Sequence, residues 1–275
     1  MPVLFGLAAS LLVGISDTLG RFTTRRATAV SQVATAMIIG VPTAALVAVV
    51  AGHDLIGSDL ARGLASGLLL STALAVMYRG MADSSAAIVS PLAAVFAALV
   101  PLTWDIVRGL RPNAVVLAGC AVAVAALALT TFNPDIGEGV RRGLALGVVA
   151  GALFGASIIF VGETSDASGA WPAAAQRLMG TVTMIAVARA QGAPVLLPRS
   201  LMRLGLLSGA VGTVGIVFLT IGAQRGDLGI VSVAGSMFPA VVAVLSALFD
   251  DDQLRWWQLV GIGAAVGGMA MIALG

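Results

Sequence analysis

Apolar residues run through this chain in ten blocks of about 20, each closed by a short polar or charged break. They fall at roughly 2–20, 28–50, 61–79, 85–104, 112–132, 142–162, 171–189, 203–222, 228–248 and 254–274. A block of that length covers the hydrocarbon core as a helix, which satisfies every backbone N–H and C=O within the segment. Nothing is left over for a soluble domain.

The blocks are written twice. Gly63, Leu64, Ser66 and Gly67 return as Gly205, Leu206, Ser208 and Gly209, Ile88-Val89-Ser90 as Ile230-Val231-Ser232, Phe96 as Phe238 and Gly119 as Gly261, all at an offset of 142. The first block follows at 141, with Gly6, Ser10 and Gly14 matching Gly147, Gly151 and Gly155. Five spans per unit is odd, so each span of the second unit crosses the membrane opposite to its mate. The fold expected is an all-α membrane protein of ten transmembrane helices, arranged as two inverted five-helix repeats. Residues 1–132 form the first repeat and 143–275 the second. The hydrophilic stretch 133–142, Asn133-Pro134-Asp135-Ile136-Gly137-Glu138 with Arg141 and Arg142, is the linker. The first block has no basic flank or small-residue cleavage site and is the mate of the sixth, so a removable leader is not expected.

Composition agrees with the span count: 59% of residues are apolar, 10% are charged and the mean hydropathy is +1.04. All fifteen basic residues are arginine. Ten lie in the connections after odd-numbered spans and four in those after even-numbered spans, which by the positive-inside rule turns the first set to the cytoplasm and the termini outward. A net charge of +2 spread this way speaks of topology and gives no nucleic-acid surface. Trp104, Trp171, Trp256, Trp257 and Tyr78 stand at block ends, where amphipathic rings settle at the headgroups. Cys120 is alone in an apolar block, so no internal disulfide is available.

Few residues inside the blocks can carry chemistry. Arg177, beside Gln176, lies almost two turns inside the seventh block. A charge near the bilayer centre costs about 2.5–3.5 kcal/mol on insertion scales. Its donor fork suits a carboxylate or phosphate, the alternatives being a structural pair with Asp17 or Glu163, or snorkelling. Asp17 stands four residues before Arg21, a spacing that allows a local ion pair and leaves Asp17 as the coupling candidate. Gln32, Ser90 and Ser232 can offer neutral hydrogen bonds, although serine in such helices often bonds its own backbone. Arg79/Asp83 and Arg225/Asp227 read as loop pairs, and His53 as a solvated loop residue. Pro91, Pro101 and Pro239 should kink the fourth and ninth spans. Glycines at four-residue spacing (Gly143, Gly147, Gly151 and Gly155; Gly63 and Gly67; Gly205 and Gly209; Gly263 and Gly267) allow close helix packing. No metal-ligand cluster or phosphate loop is present in the sequence, so no cofactor and no enzymatic activity are expected.

The Phe238-Pro239-Ala240-Val241-Val242 run, then Asp252-Gln253-Leu254 and Gln258-Leu259-Val260-Gly261, resembles the drug/metabolite transporter superfamily and its ten-helix EamA-type members. Asp252 falls where that family commonly has glutamate, while the first half has Leu110 there. Arg177 resembles an arginine common in the family's second or seventh helix, and the corresponding region of the second span offers Gln32. Thr18-Leu19-Gly20-Arg21-Phe22 is similar to the end of the first helix of small multidrug resistance proteins, whose proton- and drug-binding glutamate would fall on Val13 and Phe154. Cytoplasmic termini, the reverse of the arginine distribution, are a further implication of the EamA resemblance.

Together these features predict a secondary carrier in the inner or plasma membrane, exporting small polar metabolites such as amino acids or organic acids. Its expected site contains Arg177, Gln176, Gln32, Ser90 and Ser232, with Asp17 for coupling. The alternatives are a multidrug efflux carrier, disfavoured by 5% aromatics and the missing carboxylate, and a non-transporting scaffold or lipid scramblase. The expected partners are a small-molecule solute and the lipid bilayer, with a homodimer as the candidate assembly.

Overall fold

A computed structural model describes residues 2–83, 86–131, 140–249 and 256–274. All regular structure in them is helical: α1 (Pro2–Thr24), α2 (Ala29–Val50), α3 (Gly57–Asp83), α4 (Ala86–Val107), α5 (Ala114–Thr131), α6 (Val140–Gly162), α7 (Trp171–Ala190), α8 (Arg199–Arg225), α9 (Leu228–Gly235), α10 (Phe238–Phe249) and α11 (Trp256–Leu274), with a short 3-10 turn at Asp166–Ser168. Among these, α1, α2, α3, α6 and α8 contain stretches long and apolar enough to cross a membrane unaided. Most of the expected linker and the Asp252 motif lie outside the described residues.

Eight spans close into a ring in the order α1, α8, α2, α7, α3, α6, α4, α9–α10 and back to α1. The glycines fix the direction at each contact. Gly212 meets Ser16 and Gly222 meets Phe5, so α8 runs against α1; Gly205 meets Thr35 and Gly209 meets Ile39, so α8 runs with α2. Gly40 meets Arg177 and Gly180 meets Met37, so α2 and α7 are antiparallel; Gly63 meets Ala175 and Gly67 meets Met179, so α7 and α3 are parallel. Ser66 meets Ser157 and Gly80 meets Leu146, which sets α6 against α3. Gly147, Gly151 and Gly155 meet Val89, Phe96 and Val100 in turn, which sets α6 along α4. Gly6 with Ala234 and Gly14 with Val241 make α1 parallel to α9 and α10. Followed around the ring, these directions leave α6 antiparallel to α1, α7 to α2 and α8 to α3, the inversion that the odd span count requires. Helices α5 and α11 pair outside, where Gly268 approaches Gly119 and Ala123.

Two sequence expectations change in detail. The ninth span is broken at Ser236–Met237, just before Pro239, while α4 runs unbroken as an α-helix through Pro91 and Pro101. Gly263 and Gly267 face open space, so that pair is not part of a packing seam. The repeat also shifts register in the second span. Ala51 and Gln191 cap α2 and α7, and Gly52 (φ 69°) and Gly192 (φ 63°) follow them, an offset of 140. The mate of Arg177 is therefore Met37; Gln32 matches Pro172.

Close backbone approach is what the glycines supply, since leucine and lipid are equally apolar and helices gain little by burying side chains alone. A Cβ at Gly151 would sit 2.6 Å from both the Ala93 carbonyl oxygen and the Phe96 Cβ. Gly151→Ala should therefore cost about 1–3 kcal/mol through overpacking, and Gly267→Ala should cost nothing. Thermal unfolding of both variants in detergent checks this, and equal melting temperatures would contradict the seam.

Candidate functional site

Arg177 and Met37 are repeat mates and touch each other, Arg177 Nη1 lying 3.2 Å from Met37 Sδ. Mates in contact must straddle the pseudo-two-fold axis. In an inverted repeat that axis lies in the membrane plane, so Arg177 sits at mid-depth and the ring is centred on it. Its stem crosses Gly40 of α2: a Cβ there would stand 2.9 Å from Arg177 Cδ and 2.6 Å from Thr213 Oγ1 of α8. Arg177 is buried, and its Nε has no hydrogen-bond partner.

Asp17 is the other mid-span charge among the described residues. It belongs to the face of α1 between the contacts with α8 and with α9–α10, opposite the exposed Leu4 and Leu11. It is surrounded by protein but solvent-accessible, so it opens into the ring's interior. The charges of Asp17 and Arg177 act on each other without forming an ion pair, and Asp17 makes no pair with Arg21, contrary to the spacing argument. Helices α8, α9, α10 and α2 bring no mid-span charge to this interior.

The other expected site residues divide. Gln176 is next to Arg177 in sequence but 100° around the helix, donating to Ser66 Oγ (2.7 Å) and Ser157 Oγ (3.3 Å), with its Oε1 buried and unpartnered. Gln32 closes an equivalent clasp on the other side of the axis, donating to Ser208 Oγ (3.1 Å) and accepting from Thr23 Oγ1 (2.6 Å), while Ser208 pairs with Ser16. The serine pairs Ser66–Ser157 and Ser208–Ser16 are repeat mates; the glutamines that close them are not. Ser232 donates to the Leu228 carbonyl (2.6 Å) and is fully buried, away from Arg177. The Ser90 side chain is outside the described set. Gly40, against the Arg177 stem, and Thr213, on the other side of Gly40's open position, had no place among the expected site residues. Gly40 had a legible signal in its match to Gly180 at the shifted offset.

The two ends of the ring differ. At the end carrying the termini, Val217 and Ile221 of α8 fill the space against Ala44, Val47 and Ala48 of α2. At the other end Ala75 and Arg79 of α3, mates of Val217 and Ile221, and Met184 and Val187 of α7, mates of Ala44 and Val47, line a cavity of 360 Å³ together with Gln191. At the terminus end, α6 also crosses the ring to reach α8, with Ile158 and Ile159 joining Ile216, Leu219 and Ala223. The corresponding approach of α1 to α3 is weaker. The interior is thus closed toward the termini and open toward the arginine-rich end, and Asp17, mate of Ile158, lines the open half.

Outside the closed half is a 460 Å³ vestibule bordered by Asp105, Arg108, Glu163, Thr164 and Asp227. Polar latches hold it shut. Gly229 N donates to Asp105 (2.6 Å), Trp104 Nε1 donates to Glu163 (3.0 Å), Arg108 pairs with Glu163, and Arg225 pairs with Asp166, not with Asp227 as its neighbour in sequence suggests. Half-buried His53 accepts from Ala170 N at Nδ1 (3.2 Å) and packs on Gly169 (φ 45°), so it clasps the loop before α7.

Sequence and structure comparisons agree with this architecture. The EamA-like transporter family profile matches residues 141–274. A crystal structure of another protein superposes with a TM-score of 0.80 over 99% of this chain and 98% of its own, at 17% identity, a likeness of fold alone. No curated protein matches in sequence.

The Arg108 hydrogen bond holds the Glu163 carboxyl below the usual carboxylate range, helped by Trp104. A depressed value in the folded state means the latch is intact above the ordinary carboxylate range and is lost as pH falls through the lowered value. With Trp171, Trp256 and Trp257 replaced by Phe, Trp104 fluorescence should titrate in that acid window, and Glu163→Gln should remove the transition. An unchanged transition in the Gln variant would assign it elsewhere.

Proposed function

Because this chain carries an EamA-like transporter family domain and so belongs to the drug/metabolite transporter superfamily, we propose that it works as a secondary carrier for small polar metabolites, such as amino acids or organic acids, by alternating access. The family supports a membrane transporter; the solute class, the coupling, export and an inner or plasma membrane location go beyond it. The observation that carries it is Arg177, a buried guanidinium on the pseudo-two-fold axis with an unpartnered Nε. A charge at this depth is costly, and no bonded carboxylate offsets it. A solute carboxylate arriving through the open end can take the donor fork bidentately.

Exchange of conformations between the halves gives the opposite state. The α6–α8 crossing parts and α1 closes on α3, while α2 and α7 pivot about the axis and keep Arg177 at its centre. Asp17 is the coupling group of this scheme, because it is the one acid within electrostatic reach of Arg177 in the ring. Gln176 is the neighbouring orienting group through its free Oε1.

Arg177→Ala should abolish uptake of a radiolabelled panel of amino acids and organic acids into proteoliposomes while leaving the melting temperature near wild type. Arg177→Lys should restore little, as an ammonium lacks the bidentate fork. A structural ion pair predicts the reverse order, with a stability loss of about 3–5 kcal/mol on removing one partner. Full transport by a well-folded Arg177→Ala protein would remove the residue from the site.

For orientation, single cysteines at Arg25 and Arg26 in a Cys120→Ala background should resist an impermeant thiol reagent added outside cells, since the arginine-rich end faces the cytoplasm. Strong external labelling would reverse the assignment, leaving the fold untouched.

A further inference from the structure

Five buried side-chain atoms among the described residues lack any hydrogen-bond partner: Gln176 Oε1, Arg177 Nε, Thr213 Oγ1, Thr220 Oγ1 and Gln224 Oε1. Two belong to the site above. The other three occupy α8 at positions i, i+7 and i+11, so they stack on one helix face. At 1.5 Å per residue they span about 16 Å, half of the ~30 Å hydrocarbon core. The series begins at Thr213, across Gly40 from Arg177. It ends where the Gln224 amide donates to Thr164 Oγ1 (2.8 Å), and Thr164 lines the 460 Å³ vestibule.

Threonine in a helix ordinarily gives its hydroxyl to the carbonyl four residues back. Thr18, Thr43, Thr181 and Thr183 all do so in this protein. Thr213 and Thr220 do not, although both are fully buried. Their face is bracketed by Gly209 and Val217, which meet α2, and turned away from Gly215, Leu219 and Gly222, which meet α1. It therefore lies along the α8–α2 seam of the closed end, whose mate between α3 and α7 holds the 360 Å³ cavity. The first repeat has no equivalent arrangement: Ser71, mate of Thr213, donates to its own helix at Gly67 (2.5 Å).

The structure assigns this face of α8 as the solute path of the closed half, with Thr213, Thr220 and Gln224 as successive hydrogen-bonding subsites between Arg177 and the vestibule. The assignment rests on the carrier reading above and adds a route to it. Hydroxyls that both donate and accept, followed by an amide oxygen that accepts, suit a small solute bearing both kinds of group. Helix α8 has no charge between Arg203 and Arg225, so nothing along the path competes with Arg177 for the solute's anionic end.

Single cysteines at Thr213, Thr220 and Gln224, in a Cys120→Ala background, test the path without a known solute. The control is the wild-type protein, whose single Cys120 is buried in α5 outside the ring. In proteoliposomes treated with a small cationic methanethiosulfonate, the three path cysteines should react as the ring alternates and Cys120 should not. Unreactive cysteines at Thr220 and Gln224, or equal reaction at Cys120, would overturn the path. In parallel, Thr220→Val should hold or raise the melting temperature in detergent, because it removes an unpaired buried hydroxyl. A lowered temperature would show a bonded, structural hydroxyl and would also overturn it. If the path cysteines react but no panel solute is carried, the route stands and the proposed solute class falls.

Discussion

Each ring helix has both of its ring neighbours in the other half of the chain, and the remaining features of this protein depend on that interlock. In a bilayer nothing analogous to the exclusion of apolar surface from water drives helices together, so contact has to come from close backbone approach. Glycines and alanines supply it at the junctions around the ring, and the serine–glutamine clasps add a few interhelical hydrogen bonds. Neither five-helix unit closes a ring by itself. The repeat is therefore a unit of sequence and symmetry, and the packed unit is the whole ring.

Interlocking also explains how a near-symmetric object comes to rest in an asymmetric state. Mated contacts compete, since α6 reaching α8 and α1 reaching α3 would close opposite ends. The packing of Val217 and Ile221 on α2 occurs at one end while the mated residues line a 360 Å³ cavity at the other. Apolar packing favours the closed end, where Val217 and Ile221 rest on the alanines of α2 while α3 has Ala75 and the charged Arg79 in their places. Sequence divergence between the halves thus biases which end closes, while shared small residues keep both closures sterically accessible.

Most of the architecture was legible before any coordinates. Block length gave the spans, an odd count gave the inversion, and Arg177 and Asp17 stood out as charges that insertion penalises. What was not legible has identifiable causes. The two-residue register shift in the second span hid Met37 as the mate of Arg177, because the conserved offset of 142 pointed to other positions. Proline content could not distinguish α4, which stays continuous, from the ninth span, which breaks at Ser236–Met237. Spacing suggested Asp17–Arg21 and Arg225–Asp227 pairs, but the fold turns Asp17 into the ring and brings Arg225 to Asp166. The orphaned hydroxyls of Thr213 and Thr220 could not be read at all, since a threonine in an apolar helix looks the same whether or not it bonds its own backbone.

The axis itself limits how far a transporter of this kind can stay symmetric. A residue on the axis meets its own mate, so a charge retained in both halves would face an identical charge. Two guanidinium groups at about 4 Å repel by roughly 4 kcal/mol at an effective dielectric of 20, beyond the insertion cost each already carries. One of the two has to be neutral, and a long, soft methionine fills the same space beside the guanidinium without repelling it. The repeat must therefore diverge where a mid-depth charge is kept, and a self-comparison of the sequence fades at that site. Loss of internal similarity on the second and seventh spans, against its persistence on the others, is thus itself a pointer to the place where a charged group is held.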